Sequence, residues 1–383
     1  MDIEKEILIP PFKYYFPEDS IKWILETTSE LLHSESYLSM GKYCEQFEEE
    51  FARMAHTKYA ISVSSGVAAI EVSLRSRGIT NGEVIVPTNT FGASALAVIN
   101  SGAIPVYSDI SSDMNIDFAD MRKRITNRTK AVMAVHIGGI ISSTIEEIKD
   151  YCNSNSLVLI EDAAHAHGSE FGKLMAGGIG DVGAFSFFTT KVLTTGEGGM
   201  MVTSDYESYE KAKKIRSYNK VAGSEIGELG YNWRMPEFQA IIGLAQLRIF
   251  DDTLRKRRKV AKIYDELLVK NKICSPLVFS DKCMPSYYKY ICILPKGKDP
   301  CILQKALETK YRIALGGYVY DVPLHRQVML GKYAKGNEDS FPVADDLCSR
   351  HLSLPLYPQM KEDEIQYVVD SVNMCAKDLG WLN

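Results

Sequence analysis

Lys191 lies in the stretch Phe185-Ser186-Phe187-Phe188-Thr189-Thr190-Lys191-Val192-Leu193-Thr194-Thr195, which contains no other charge. Desolvation favours the neutral amine of such a lysine, a nucleophile that can form a Schiff base with an aldehyde. Most lysines are simply solvated, so Lys191 needs company before it means anything. The Gly196-Glu197-Gly198-Gly199 turn beside it lets the backbone reverse closely. A second segment, Leu159-Ile160-Glu161-Asp162-Ala163-Ala164-His165-Ala166-His167-Gly168, places two acids and two histidines directly after an apolar run. Open α/β sheets bind ligands at that place, the carboxyl ends of strands. A helix cap by Asp162 is the plain alternative, and a metal reading lacks a further pair of matching ligands. In a third segment, Val63-Ser64-Ser65-Gly66-Val67-Ala68-Ala69, a strand passes through a small-residue turn into a helix. Free backbone N–H groups and the helix dipole there suit a phosphate, although tight strand–helix packing gives the same pattern. The fourth segment, Gly230-Tyr231-Asn232-Trp233-Arg234-Met235, reads by itself as a turn and cap.

Together these parts fit one cofactor, pyridoxal 5′-phosphate. It requires an amine for its aldehyde, a carboxylate to keep the ring nitrogen protonated, an aromatic against the ring face and a cradle for the phosphate. Lys191, Asp162, Phe91 (in Thr88-Asn89-Thr90-Phe91) and the Ser65-Gly66 turn supply the four.

The elements that must position them form an α/β pattern. Tyr59–Val63, Val84–Val86, Ile104–Tyr107, Ala131–Val135, Leu157–Ile160 and Ala184–Phe188 are short, continuous apolar runs, as strands buried on both faces tend to be. Helix-like stretches separate most of them; in one, Phe47, Phe51 and Met54 recur at helical spacing. A mostly parallel, helix-covered sheet follows. A long helix is expected from Met235-Pro236 toward Leu268, interrupted only by Gly243. Strands are expected at 287–294 and 311–315, and a last helix at 362–379. The expected division is a large domain over residues 1–250, with an N-terminal helical segment, and a smaller α+β domain over 251–383.

The 383 residues suffice for two cores, and 45% apolar with 24% charged residues is ordinary for a globular protein. A formal charge of −5 argues against a nucleic-acid binder. The one basic run, Arg255-Lys256-Arg257-Arg258-Lys259, reads as a solvated helix face. No stretch approaches the roughly 20 apolar residues of a membrane helix, and the acidic N-terminus does not resemble a secretory signal. Eight scattered cysteines without a Cys-x-x-Cys pair suggest free thiols in a reducing cytoplasm, and no metal site is expected.

The chain resembles the DegT/DnrJ/EryC1/StrS sugar aminotransferases, within the aspartate-aminotransferase-like, fold-type I pyridoxal-phosphate enzymes. The resemblance spans Phe47-Glu48-Glu49-Glu50-Phe51-Ala52, the Pro87-to-Asp109 block, Glu161-Asp162-Ala163-Ala164, Lys191 with its glycine turn, Pro323-Leu324-His325 and Leu354-Pro355-Leu356. It implies that Ser186 adds a hydroxyl to the phosphate cradle and that Asn232 reaches the phosphate of a neighbouring subunit in a homodimer. It also implies that His325, in the smaller domain, lies near the substrate pocket, while the Tyr318-Val319-Tyr320-Asp321 stretch, Tyr320 included, is a further candidate for substrate contact. Two positions depart from the pattern. Val67 stands where the family usually has threonine, which removes a hydroxyl from the cradle. His165 stands where glutamine is frequent near the ring hydroxyl, and its charge is expected to vary near neutral pH. The implied reaction is ping-pong transamination from L-glutamate (L-glutamine is not distinguished) through pyridoxamine 5′-phosphate to a nucleotide-linked keto-deoxysugar. The product would be an amino sugar for a surface polysaccharide or a glycosylated metabolite. Alternatives are a small phosphorylated or cyclic ketone as acceptor, a pyridoxamine-dependent sugar dehydratase, and a non-catalytic ligand sensor.

Overall fold

The computed structural model describes residues 8–269, 271–334 and 341–382. Seven apolar segments pair into one sheet: β1 (Tyr59–Val63), β2 (Glu83–Pro87), β3 (Ile104–Ser108), β4 (Thr129–Val135), β5 (Val158–Asp162), β6 (Val182–Ser186) and β7 (Gly199–Thr203), in the order β1-β7-β6-β5-β4-β2-β3. Helices cover both faces, so the strands read as continuous Val/Ile/Ala runs and not as an alternation. β7 runs antiparallel to both its neighbours, and the β2–β3, β2–β4, β4–β5 and β5–β6 pairs are parallel. The fold is α/β, of the aspartate-aminotransferase type, with a mostly parallel sheet. β7 escaped the sequence reading because its apolar residues follow directly on the Gly198-Gly199 turn and look like its continuation.

Two departures concern the connection to the second core. The expected helix from Met235 to Leu268 is two helices, Glu237–Arg248 and Phe250–Leu268, broken at Ile249 (φ −110°, ψ 9°) and not at Gly243. Gly243 instead lets the first helix approach Phe47, whose ring atoms lie 2.5 Å from where a Cβ would stand. Phe250 and Leu254 belong to the core around the seven-stranded sheet, whereas Val260, Tyr264 and Leu268 belong to a second core with Ile291's neighbours Tyr290 and Cys292. That second core surrounds a small antiparallel sheet of Ser275–Pro276, Tyr290–Ile293 and His351–Leu354, closed by helix Glu362–Asp378. The segment expected as a strand at 311–315 is not one: a π-helical turn over Leu307–Tyr311 ends at Arg312 in the left-handed region (φ 59°), and only Ile313 forms a bridge, to Ile9.

The basic run is not a uniformly solvated face. Arg257 is buried and donates to the carbonyls of Tyr287 (2.5 Å from Nη2) and Tyr288, Arg258 pairs with Glu170 at 3.1 Å, and Lys259 pairs with Glu362 at 3.0 Å. Among the described residues no helix is long and apolar enough to cross a membrane.

Candidate active site

The sheet ends its strands on one cavity of about 430 Å³, within the size range of small-molecule sites. Ser65, Gly66 and Val67 follow β1, Phe91 follows β2, Asp162 ends β5 and Ser186 ends β6; all line this cavity, as do His165, Lys191 and Tyr320. Nine of the eleven expected site residues therefore meet at one place. A larger opening of about 730 Å³ lies around Glu50, Arg53, Arg255 and Arg258, and none of these chemistry-bearing groups faces it.

The Asp162 carboxylate is buried, accepting from the Ser94 hydroxyl at 2.7 Å and from the Ala164 N–H at 3.2 Å. Ser94 is in turn held by Thr90 at 2.8 Å. These bonds fix the carboxylate and leave it lone pairs for a cation in the cavity. At the next wall, Ser65 caps helix Gly66–Ser76 by accepting from the Ala68 N–H at 3.2 Å. The N–H groups of Gly66 and Val67 open that helix and have no carbonyl four residues back within it. A Cβ on Gly66 would stand 2.7 Å from the Ser186 Cβ, so glycine is what allows the helix end and the Ser186 hydroxyl to converge on one anion.

Lys191 is half-buried at the cavity wall, with Nζ 4.7 Å from the centre of the Tyr288 ring. Burial lowers its pKa from 10.5 to about 7; Asp162 opposes the shift and the Lys289 ammonium adds to it. The free amine therefore predominates above about pH 7. The rate at which the cofactor-free protein links to pyridoxal phosphate should rise up to that pH and then level, whereas an ordinary lysine would continue to gain up to about pH 10. Borohydride trapping at a series of pH values measures it.

His165 is buried, and its pKa lies well below 6.5 through desolvation and through Lys191, Lys289 and His167. The expectation that its charge varies near neutral pH is thus corrected: the imidazole is neutral there. Its Nδ1 accepts from the Gly138 N–H at 3.3 Å, which places the ring proton on Nε2, donating to the Tyr320 hydroxyl at 3.1 Å. The ring lies between Tyr288 (centroids 4.3 Å apart) and Tyr320 (5.8 Å), and Tyr320 stacks on Phe91 at 6.0 Å. Phe91 is 64% exposed toward the cavity mouth, an open apolar face that a flat ring can cover.

Two expected residues lie elsewhere. Asn232 is exposed and bridges Ser217 through its backbone, outside the cavity. His325 does not line the cavity either. Its Nδ1 meets the Thr88 hydroxyl at 2.7 Å, its Nε2 meets Asp345 at 2.9 Å, and its ring stacks on Phe341. With both nitrogens occupied it ties the segment after Pro323 to the end of β2, against the sheet-side core rather than the second one. Sequence reasoning missed Ser94, Tyr288 and Lys289. Ser94 lies one helical turn after Thr90, and Lys289 shows the signal that pointed to Lys191, a lone charge in an aromatic and apolar stretch.

The model of the DegT/DnrJ/EryC1/StrS aminotransferase family matches residues 19–373. The chain belongs to this family. It is 34% identical to GDP-perosamine synthase of Escherichia coli O157:H7, over 92% of this chain and 95% of that one. It is 33% identical to dTDP-3-amino-3,6-dideoxy-alpha-D-galactopyranose transaminase of Aneurinibacillus thermoaerophilus, again over 92% and 95%. Among solved structures, S. venezuelae DesV in complex with a ketimine intermediate superposes with a TM-score of 0.89 at 29% identity, covering 97% of this chain and 99% of that one. Like its family, this chain is a pyridoxal-phosphate-dependent sugar aminotransferase.

The residues present fit that cofactor. An amine of lowered basicity, a buried carboxylate, an open aromatic face and a helix N-terminus narrowed by Gly66 surround one cavity of suitable volume. Val67 leaves the cradle without one hydroxyl. Val67→Thr is expected to tighten cofactor binding two- to tenfold, about the worth of one added hydrogen bond, as read by cofactor titration of the apoprotein.

Proposed function

We propose that the chain transfers the amino group of L-glutamate to the ketone of a nucleotide-linked keto-deoxysugar, releasing 2-oxoglutarate and the amino sugar. The observation that supports this most is the pairing of Lys191, with its amine lowered to about 7, and the buried Asp162 across one cavity in a family of aminotransferases. In this reading the N–H groups of Gly66 and Val67 and the Ser186 hydroxyl would hold the phosphate of pyridoxal phosphate, Asp162 would keep its ring nitrogen protonated, and Phe91 would pack against the ring. When bound, the cofactor supplies an electron sink for the pair left behind when an α-proton departs. Lys191 Nζ would hold the cofactor's aldehyde at rest and, once freed by the incoming amine, would serve as the base that takes the substrate's α-proton and later gives it back. The neutral His165 donates its Nε2–H to the Tyr320 hydroxyl, and Tyr288, His165, Tyr320 and Phe91 together form an aromatic wall of the cavity.

The nucleotide-linked acceptor is supported by the relatives, one named for a GDP sugar and one for a dTDP sugar. The family's pyridoxamine-dependent dehydratases characteristically carry histidine in place of the imine lysine, so Lys191 argues against dehydration. A homodimer in which Asn232 reaches the partner's phosphate is part of the same reading; Asn232 is exposed, as are Val221, Ile226 and Leu229 in the segment that precedes it. The reaction is tested by incubating the protein with L-glutamate and nucleotide-linked 4-keto-6-deoxyhexoses. One equivalent of amino sugar per 2-oxoglutarate is expected, and turnover only with small phosphorylated or cyclic ketones would move the assignment to those acceptors.

A further inference from the structure

Two charged side chains that line the cavity, Lys289 and the exposed Glu197, have no counterpart on the cofactor, and Lys289 is the cation of the two. Lys191 answers the aldehyde, Asp162 the ring nitrogen, and the helix end with Ser186 the phosphate. Lys289 answers none of these. It lines the same cavity but comes from a different wall. Its backbone N–H donates to the Gly138 carbonyl at 3.1 Å, and the Gly138 N–H in turn donates to His165 Nδ1 at 3.3 Å. Its Nζ donates to the Gly316 carbonyl at 2.6 Å, which engages one of three ammonium donors. Among the described residues no carboxylate is in ion-pair contact with it, and the charged neighbour that acts on it is Arg257, a like charge whose own donors are held by the Tyr287 and Tyr288 carbonyls. Burial and Arg257 lower the Lys289 pKa to about 8, the mark of a cation that lacks an anion.

Resting on the aminotransferase reading, we infer that Lys289 is the anchor for a carboxylate carried by the substrate. A half-buried ammonium held by one carbonyl and lying 5.4 Å from the centre of the Tyr288 ring, with no carboxylate beside it, gains stability when an anion completes it, and carboxylates are the anions of this reaction that come close to the reacting carbon. The carboxylate belongs either to the amino donor or to an acidic sugar acceptor. Lys289 is a specificity-determining residue, since it would bind the group without touching the bonds that change.

Binding to the cofactor-loaded protein, measured by calorimetry, tests the anchor without needing turnover. Maleate, an unreactive dicarboxylate, represents the donor. UDP-glucuronate against UDP-glucose, which differ in the C6 carboxylate, represents the acceptor. In Lys289→Met the affinity for maleate, or the preference for UDP-glucuronate, should fall at least tenfold, while Lys289→Arg keeps most of it and cofactor loading is unchanged in both. Loss with maleate assigns the donor, and loss of the UDP-glucuronate preference assigns the acceptor. Equal affinities in wild type and Lys289→Met, or a wild type that binds neither acid, would overturn the anchor. If maleate binding depends on Lys289 but L-glutamate never discharges the cofactor, the anchor stands and the transamination reading fails.

Discussion

Replacing Lys191 by alanine is expected to lower turnover by more than about a thousandfold, because in the proposed mechanism one amine serves both as the covalent tether and as the proton carrier. The protein should still fold. The lysine lies at the cavity wall with its Nζ over the Tyr288 ring, and removing a partly desolvated cation relieves a cost instead of creating one. Cofactor should remain bound without a covalent link, since the helix N-terminus and Asp162 are untouched. Three readouts separate this from general damage: the melting temperature, the amount of cofactor retained on gel filtration, and the mass after borohydride treatment. An unchanged melting temperature, retained cofactor and no mass increase are expected, and a rate near wild type would remove Lys191 from the mechanism.

Asp162→Asn should lower kcat by about 10²- to 10³-fold, equivalent to ~3–4 kcal/mol of transition-state stabilisation. Asparagine has the same shape, and its carbonyl oxygen can still accept one of the bonds now made by Ser94 and the Ala164 N–H. The charge is lost, however, so a protonated ring nitrogen is no longer favoured. Asp162 also raises the Lys191 pKa against burial, so the variant's Lys191 amine should titrate below about 7. The cofactor-linking profile would shift to lower pH together with the fall in kcat. A kcat loss without that shift would mean that the carboxylate acts on the cofactor alone.

Most of the groups that meet at the cavity were visible in the sequence because they lie at or near strand ends. Strands buried on both faces announce themselves as apolar runs, and Ser65 and Asp162 stand just past the ends of two of them, whereas Ser186 lies within the run read as Ala184–Phe188 and was named through the resemblance. Lys191 was visible because its surroundings hold no other charge. Contacts between distant segments were not visible. Thr88 and His325 are 237 residues apart, and nothing local shows that both imidazole nitrogens are occupied, so His325 looked like a pocket residue. His165 looked like a group titrating near neutrality because its type suggested it; three-dimensional burial beside two lysines settles its charge. The break at Ile249 was missed for a simpler reason. Neither glycine nor proline marks it, and the helix ends because Phe250 turns into the core.

The absorption spectrum of the cofactor-loaded protein, before and after L-glutamate is added without acceptor, tests the central claim most directly. The predicted result is loss of the visible band with release of one equivalent of 2-oxoglutarate per site, and return of the band when a nucleotide-linked keto-deoxysugar is supplied. A band that persists at saturating L-glutamate and L-glutamine, with no oxoacid released, would contradict the account.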